Sequence, residues 1–195
     1  MTSTAANSAI DIASRALVLI GAEPITAFDS STAESTVATN MYEDTVRATL
    51  SSARWRFASD QATLAAVGSD PTGRFDKAHQ LPTNLLVLHA VTVNDNLINY
   101  TVYGDKVFSN VTASDTVIAD FTFRETETNF PSYFTLALEY TLATIFATSI
   151  ARSATLAKLM NEQSTLLMAK ARNLDAQQQT TRKLVTSRFI TDRRS

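Results

Sequence analysis

The 195-residue sequence predicts an α+β fold: a mainly α-helical bundle of four helices, a small inserted antiparallel β-sheet, and a projecting C-terminal helix and tail. Three observations carry this prediction. Apolar residues recur every three or four positions before residue 57 and again after residue 127, the spacing of one helix face. From residue 58 to 127 the period falls to two, the spacing of a half-buried strand. At the passage between these regimes stands Ala53-Arg54-Trp55-Arg56-Phe57-Ala58, which holds the one tryptophan of the chain. Residues 1–57 with 128–183 thus form the helical bundle, 58–127 an inserted β domain and 184–195 a C-terminal tail. Two helices on either side of an inserted sheet most simply close into one bundle.

The elements follow in order. Asn7 or Ser8 caps a first helix, with Ile10, Ala13, Leu17 and Ile20 on one face and Gly21 to end it. Glu23-Pro24 holds the next loop extended. A second helix begins at Ser31 or Thr32 and runs through Val37, Met41, Val46 and Leu50 to end near Arg54. In the β region, Leu85 to Val93 reads as a strand and Asn94-Asp95-Asn96 as a turn. Ile98 to Tyr103 and Lys106-Val107-Phe108 form a hairpin across Gly104-Asp105. Val117 to Phe123 is a further strand, so four or five short strands make one sheet.

A third helix is capped by Asn129, with Pro131 in its first turn. Phe134, Leu138, Leu142 and Ile145 form its main stripe, and Leu136, Ala143, Ala147 and Ile150 widen it almost all round, which places it centrally. A fourth helix spans about Ser153 to Lys183, with Leu156, Leu159, Met160, Leu166, Leu167 and Leu174 on one apolar face. Its polar end, Gln177-Gln178-Gln179, is expected to project from the body.

Composition narrows the function classes. A chain of this length buries roughly 70% of its unfolded surface and needs no metal or disulfide to fold. It has no cysteine, which excludes disulfides, thiol catalysis and cysteine metal sites. The net charge of −2 is too balanced for a general nucleic-acid binder. No basic leader with an apolar run opens the sequence, so no signal peptide is expected. No stretch approaches the roughly 20 apolar residues that span a bilayer, and no membrane partner is expected.

Catalytic chemistry has little to stand on. His79 and His89 lack metal-ligand spacing, and His89 alternates with the apolar strand residues, which turns it to the opposite face of the sheet. The segment from Gly68 to Gly73 lacks the Gly-Lys-Ser/Thr ending of a phosphate loop and reads as a turn. No G-x-S-x-G elbow is present. Glu125 and Glu127 would share one strand face, and a glycosidase needs two carboxylates about 5–10 Å apart. They stand instead in a Thr-rich stretch before the third helix, where acids decorate a solvated edge. No catalytic, metal or cofactor-binding residue is assigned, and no enzyme is expected.

Contact chemistry is richer. Trp55 and Phe57 bring large apolar rings, and the tryptophan N–H requires a partner when buried. The flanking Arg54 and Arg56 can fork to carboxylates or carbonyls. The block is therefore a junction between subdomains or an interface. From Arg182 to Ser195 five basic residues, among them Arg188, Arg193 and Arg194, face one acid, Asp192. Val185, Phe189 and Ile190 are interleaved with those charges. The stretch is either a solvated terminus or a segment that docks on an acidic partner.

The order of these motifs resembles one family. Leu17-Val18-Leu19-Ile20-Gly21-Ala22-Glu23-Pro24-Ile25 leads to the loop Phe28-Asp29-Ser30-Ser31-Thr32. A helix with Tyr42 and Arg47 follows, then Trp55-Arg56-Phe57-Ala58, Ala62-Thr63-Leu64 and Gln80-Leu81-Pro82. This resembles the tail tubular protein A family, the head-to-tail adaptors of short-tailed bacteriophages (podoviruses). Phe75 and His79-Gln80 stand where that family often carries a tyrosine ahead of the Leu-Pro.

The resemblance implies a virion protein of the tail or neck, made in the host cytoplasm. It implies a homo-oligomeric ring, commonly of twelve copies, between the portal protein and the tail nozzle (tail tubular protein B). Such a ring helps seat tail fibres and continues the channel through which genomic DNA passes, without specific binding, during ejection. Portal docking then falls to Arg188, Phe189, Ile190, Arg193 and Arg194, and truncation after Lys183 should abolish it. Trp55 and Phe57 would lock the two subdomains, while Arg54 and Arg56 would reach an adjacent subunit or an acidic loop such as Asp29. The alternatives are another neck or head-completion connector protein, a tail-borne carbohydrate-degrading enzyme, or a cellular helical interaction module.

Overall fold

The computed structural model describes residues 5–68, 71 and 73–178 of the chain. Helix α1 (Ala9–Leu19) starts at Ser8, whose hydroxyl accepts the Asp11 N–H at 3.1 Å and donates to the Asp11 carboxylate at 2.7 Å. It ends in a Schellman motif: the Gly21 and Ala22 amides donate to the Val18 and Leu17 carbonyls, both at 3.0 Å. The motif needs a left-handed residue, and Gly21 supplies it with φ +76°. Helix α2 (Ala33–Ser51) is capped by Thr32, whose hydroxyl accepts the Ser35 N–H.

Seven strands follow among the described residues: β1 (Ser59–Thr63), β2 (Lys77–Gln80), β3 (Leu85–Val93), β4 (Asn96–Leu97), β5 (Tyr100–Tyr103), β6 (Lys106–Ser109) and β7 (Val117–Phe123). They form two antiparallel sheets, ordered β1-β7-β3-β4 and β2-β6-β5, rather than the one sheet of four or five strands that the sequence predicts. The strands that periodicity misses are β1 and β2. Their sequences, Ser-Asp-Gln-Ala-Thr and Lys-Ala-His-Gln, carry one apolar residue each and so have no alternation to read.

The turns are as legible as expected. Asn94 and Asp95 both take positive φ, at 50° and 62°, in the two-residue turn between β3 and β4. Gly104, at φ +60°, opens the turn between β5 and β6. The two sheets share a core of Leu64, Leu81, Val91, Val107, Val117, Ala119 and Phe121.

Helices α3 (Ser132–Ser149) and α4 (Ala154–Ala176) complete the fold. The Asn129 cap expected for α3 is not formed. Asn129 closes a 3-10 turn, Glu127–Asn129, and its side-chain amide donates to Glu125. Pro131 takes the N-cap position instead, and its carbonyl accepts the Phe134 and Thr135 amides. Proline has no N–H to donate, so this position costs it nothing.

As its all-round apolarity predicts, α3 is central: it packs against α1, α2 and α4. It supplies Phe134, Leu138, Leu142 and Phe146 to a core that also holds Ile12, Leu17, Val46, Leu50 and Trp55. Among the described residues, no helix is long and apolar enough to cross a membrane.

Helix α4 departs from its predicted apolar face. The face that meets α3 carries Ala157, Met160, Ser164, Ala171 and Asp175, all buried. Leu159, Leu166 and Leu174 are turned outward instead and stay about half exposed. The small residues explain the rotation. They let α4 approach α3 closely enough for Thr141 and Ser164 to bond through their hydroxyls at 2.8 Å, which bulkier leucines would prevent. Nor does the polar end of α4 project at its start, because Asp175 is buried and Gln178 donates to the Tyr133 hydroxyl.

Candidate functional site

The junction block is built by the backbone first. Helix α2 stops at Ser51, and a single 3-10 turn, Arg56–Ala58, redirects the chain into β1. The Trp55 carbonyl accepts the Ala58 amide at 3.3 Å and the Ser59 hydroxyl at 2.6 Å, which fixes that turn. Trp55 is fully buried, and its indole N–H finds the Thr49 carbonyl at 3.0 Å. Its ring meets Phe134 edge-on with centroids 5.0 Å apart, and Phe57 packs on Phe130 and Phe134 at 6.0 and 4.9 Å. Both rings therefore sit at the end of the helical core.

A buried carboxylate locks this block to the far end of the chain. Asp175, on the last turn of α4, accepts the Arg56 backbone N–H at 2.7 Å and the Tyr133 hydroxyl at 2.9 Å. Burial, then the Asp175 hydrogen bond, push the Tyr133 hydroxyl up to about 12. The phenol therefore stays protonated and remains the donor. Asp175 was missed in the sequence because it follows a polar run. The signal was its register, since it continues the Ala157, Met160, Ser164, Ala171 series at spacings of three, four and seven.

The arginines of the block face different surroundings. Arg54 pairs within the chain, with Asp120 of β7 at 3.3 Å, rather than with Asp29. Asp29 is held by the Ser31 and Ser35 hydroxyls, which lower its carboxyl to about 2. The Arg56 side chain is exposed while its amide is bound to Asp175. The tail residues Arg188, Phe189, Ile190, Arg193 and Arg194 lie outside the described residues.

Glu125 and Glu127 are not a pair on one strand face. Strand β7 ends at Phe123, and each carboxylate is turned to a local task. Glu125 accepts the Thr126 N–H and the Asn129 amide. Glu127 accepts Arg124 at 2.6 Å and the Tyr42 hydroxyl at 3.3 Å. Arg124 also meets Glu43 of α2 at 2.9 Å and donates to the Glu125 carbonyl. This knot fastens α2 to the exit of the sheet, and its hydrogen bond from Arg124 lowers the Glu43 carboxyl. The sequence offered no periodic cue for it, because the partners are 81 residues apart.

No protein-family model and no curated protein matches the chain. Its surfaces must then be read from their own geometry. The two flanks of α4 differ. One carries the half-exposed Leu159, Leu166 and Leu174. On the other, a groove of about 650 Å³ runs between α2 and α4, walled by Ala48, Met168 and Ala169 and floored by Thr141 and Ile145. Arg172 closes one end through the Ser52 hydroxyl at 3.1 Å. Among the described residues, no group of three or more His, Asp or Glu side chains has the arrangement to hold a metal ion.

Proposed function

We propose that this chain is a structural head-to-tail adaptor of a short-tailed phage virion, assembling as a ring, of twelve copies in the resembled family, between the portal protein and the tail nozzle. In that setting it continues the DNA channel and helps to seat tail fibres. The order of motifs from Leu17 to Pro82 supports the family, and one observation supports the assembly. The outward leucines Leu159, Leu166 and Leu174 lie on one flank of α4, and the apolar groove between α2 and α4 lies on the other. Rings of identical subunits need two different surfaces on each copy, because a head-to-tail contact repeats around the axis. Exposed leucines aligned on one helix are also the kind of patch that a partner covers.

In this reading Trp55 and Phe57 are held as core, and the exposed Arg56 side chain is a subunit contact. Residues 184–195 provide the portal-docking segment through Arg188, Phe189, Ile190, Arg193 and Arg194. Truncation after Lys183 tests the docking role: the shortened chain should fold with an unchanged melting temperature and fail to pellet with portal rings. Normal co-sedimentation would remove the tail from the account.

A further inference from the structure

The β domain contains a cleft that the adaptor reading leaves unused. It opens between β2 and the loop that leads into β7, with a volume of about 470 Å³, within the usual range for small-molecule sites. Lys77, His79, Asp115 and Thr116 line it, with Leu64 and Val117 as its apolar patch. Both walls are held by backbone bonds. On one side the Val67 amide donates to the Ala78 carbonyl and the Gln80 amide to the Ala65 carbonyl, each at 2.9 Å. On the other, the Asp115 carboxylate accepts the Thr112 amide at 2.7 Å.

One atom in this cleft has no account in the fold. His79 is only 4% exposed, yet its Nδ1 has no hydrogen-bond partner. A buried polar atom without a partner costs roughly 1–3 kcal/mol unless something meets it. Burial, and then the neighbouring Lys77 charge, hold the ring below the ordinary histidine range, so it is neutral at pH 7. Neutral imidazole nitrogen is a donor in one tautomer and an acceptor in the other. A hydroxyl group satisfies it in both.

The other lining groups fit the same chemistry. Lys77 donates, Asp115 accepts, and the Thr116 hydroxyl does both, while the two charges cancel. A ligand with a net charge would be attracted by one wall and repelled by the other. We propose that this cleft binds a small uncharged polyhydroxylated ligand of the saccharide class, with His79 Nδ1 and Asp115 engaging its hydroxyls and Leu64 and Val117 its apolar ring face.

The chain's two histidines make the test direct. His89 already bonds through Nε2 to the Thr122 hydroxyl at 2.7 Å on another strand pair, so it serves as the internal control. Ring resonances of both histidines in the full-length protein are followed at pH 7 against D-glucose, D-galactose, N-acetylglucosamine and inorganic phosphate. The expected result is a saturable shift of His79 with at least one sugar while His89 stays still. Lys77→Ala, a change on the rim of the cleft, should then weaken that sugar's dissociation constant by roughly fivefold, the worth of one lost hydrogen bond. A His79 resonance unmoved by all three sugars, or moved by phosphate alone, overturns the proposal. So does an equal, unsaturable drift of both histidines.

Discussion

Trp55 combines three roles that a single substitution separates. Its ring fills the end of the helical core against Phe134, its N–H closes the Thr49 carbonyl, and its own carbonyl holds the turn into β1. Trp55→Ala removes the first two and leaves the third, at a cost of about 3–5 kcal/mol. A chemical-denaturation midpoint for the isolated protein measures this, and an unchanged midpoint would mean that the ring is not core. Asp175→Ala leaves a buried amide and a buried phenol without their acceptor, so it should cost about 2–4 kcal/mol although no apolar contact is lost. The anchoring role of Trp55 was legible because tryptophan between arginines is rare. Asp175 was not, because nothing in a helix's own composition says that a carboxylate will meet an amide 119 residues away.

Glu139 gives a prediction in pH. It is buried in α3, with one carboxylate oxygen lacking a hydrogen-bond partner and the Arg15 guanidinium 4.0 Å away. Burial raises its pKa above the ordinary value of 4.5, a shift that Arg15 only partly offsets. A raised folded-state pKa favours the protonated form, so this contribution is fully present below the unfolded pKa and is lost as pH rises through the folded one. Glu139→Gln should therefore melt higher than the parent at pH 8, with the gap closing at pH 4. A constant gap across that range would show that charge is not the cause.

At the scale of elements, the bundle is fastened to the β domain mainly by one arginine. Arg124 leaves β7 and meets Glu43 on α2 and Glu127 on the following turn. Its side chain is largely buried while that of Glu43 is half exposed, so solvent screens part of the attraction. Arg124→Gln should cost about 2–3 kcal/mol, less than the 3–5 of a fully buried broken pair. The Glu43 carboxyl is lowered, so its share is present above its unfolded pKa and disappears as pH falls through the folded one. Denaturant midpoints of parent and variant at pH 7 and pH 3 should accordingly converge at the acid end.

The elements themselves were read well where a local rule governs them. Ser8, Thr32, Gly21 and the Asn94-Asp95 turn do what their side chains dictate within a few residues. The reading failed where burial is decided elsewhere. The polar strands β1 and β2 form only because β7 and β6 offer them a ladder. The face of α4 is chosen by how closely Ala157, Ser164 and Ala171 let it approach α3, and not by where its leucines are.

For the whole molecule, that choice leaves leucine side chains on one flank of α4 and an apolar groove on the other. Leu166 is 56% exposed, so Leu166→Glu should leave the melting temperature within about 3 °C of the parent, as surface changes away from the core do. The same change should abolish ring assembly. Fold and assembly would then be separable, as the adaptor account requires. The most direct measurement is electron microscopy of the full-length chain mixed with purified portal rings, with the parent and Leu166→Glu side by side. The account predicts a second ring stacked coaxially on the portal for the parent and bare portals for the variant. Bare portals with the parent chain, at concentrations where it is folded, would contradict the account.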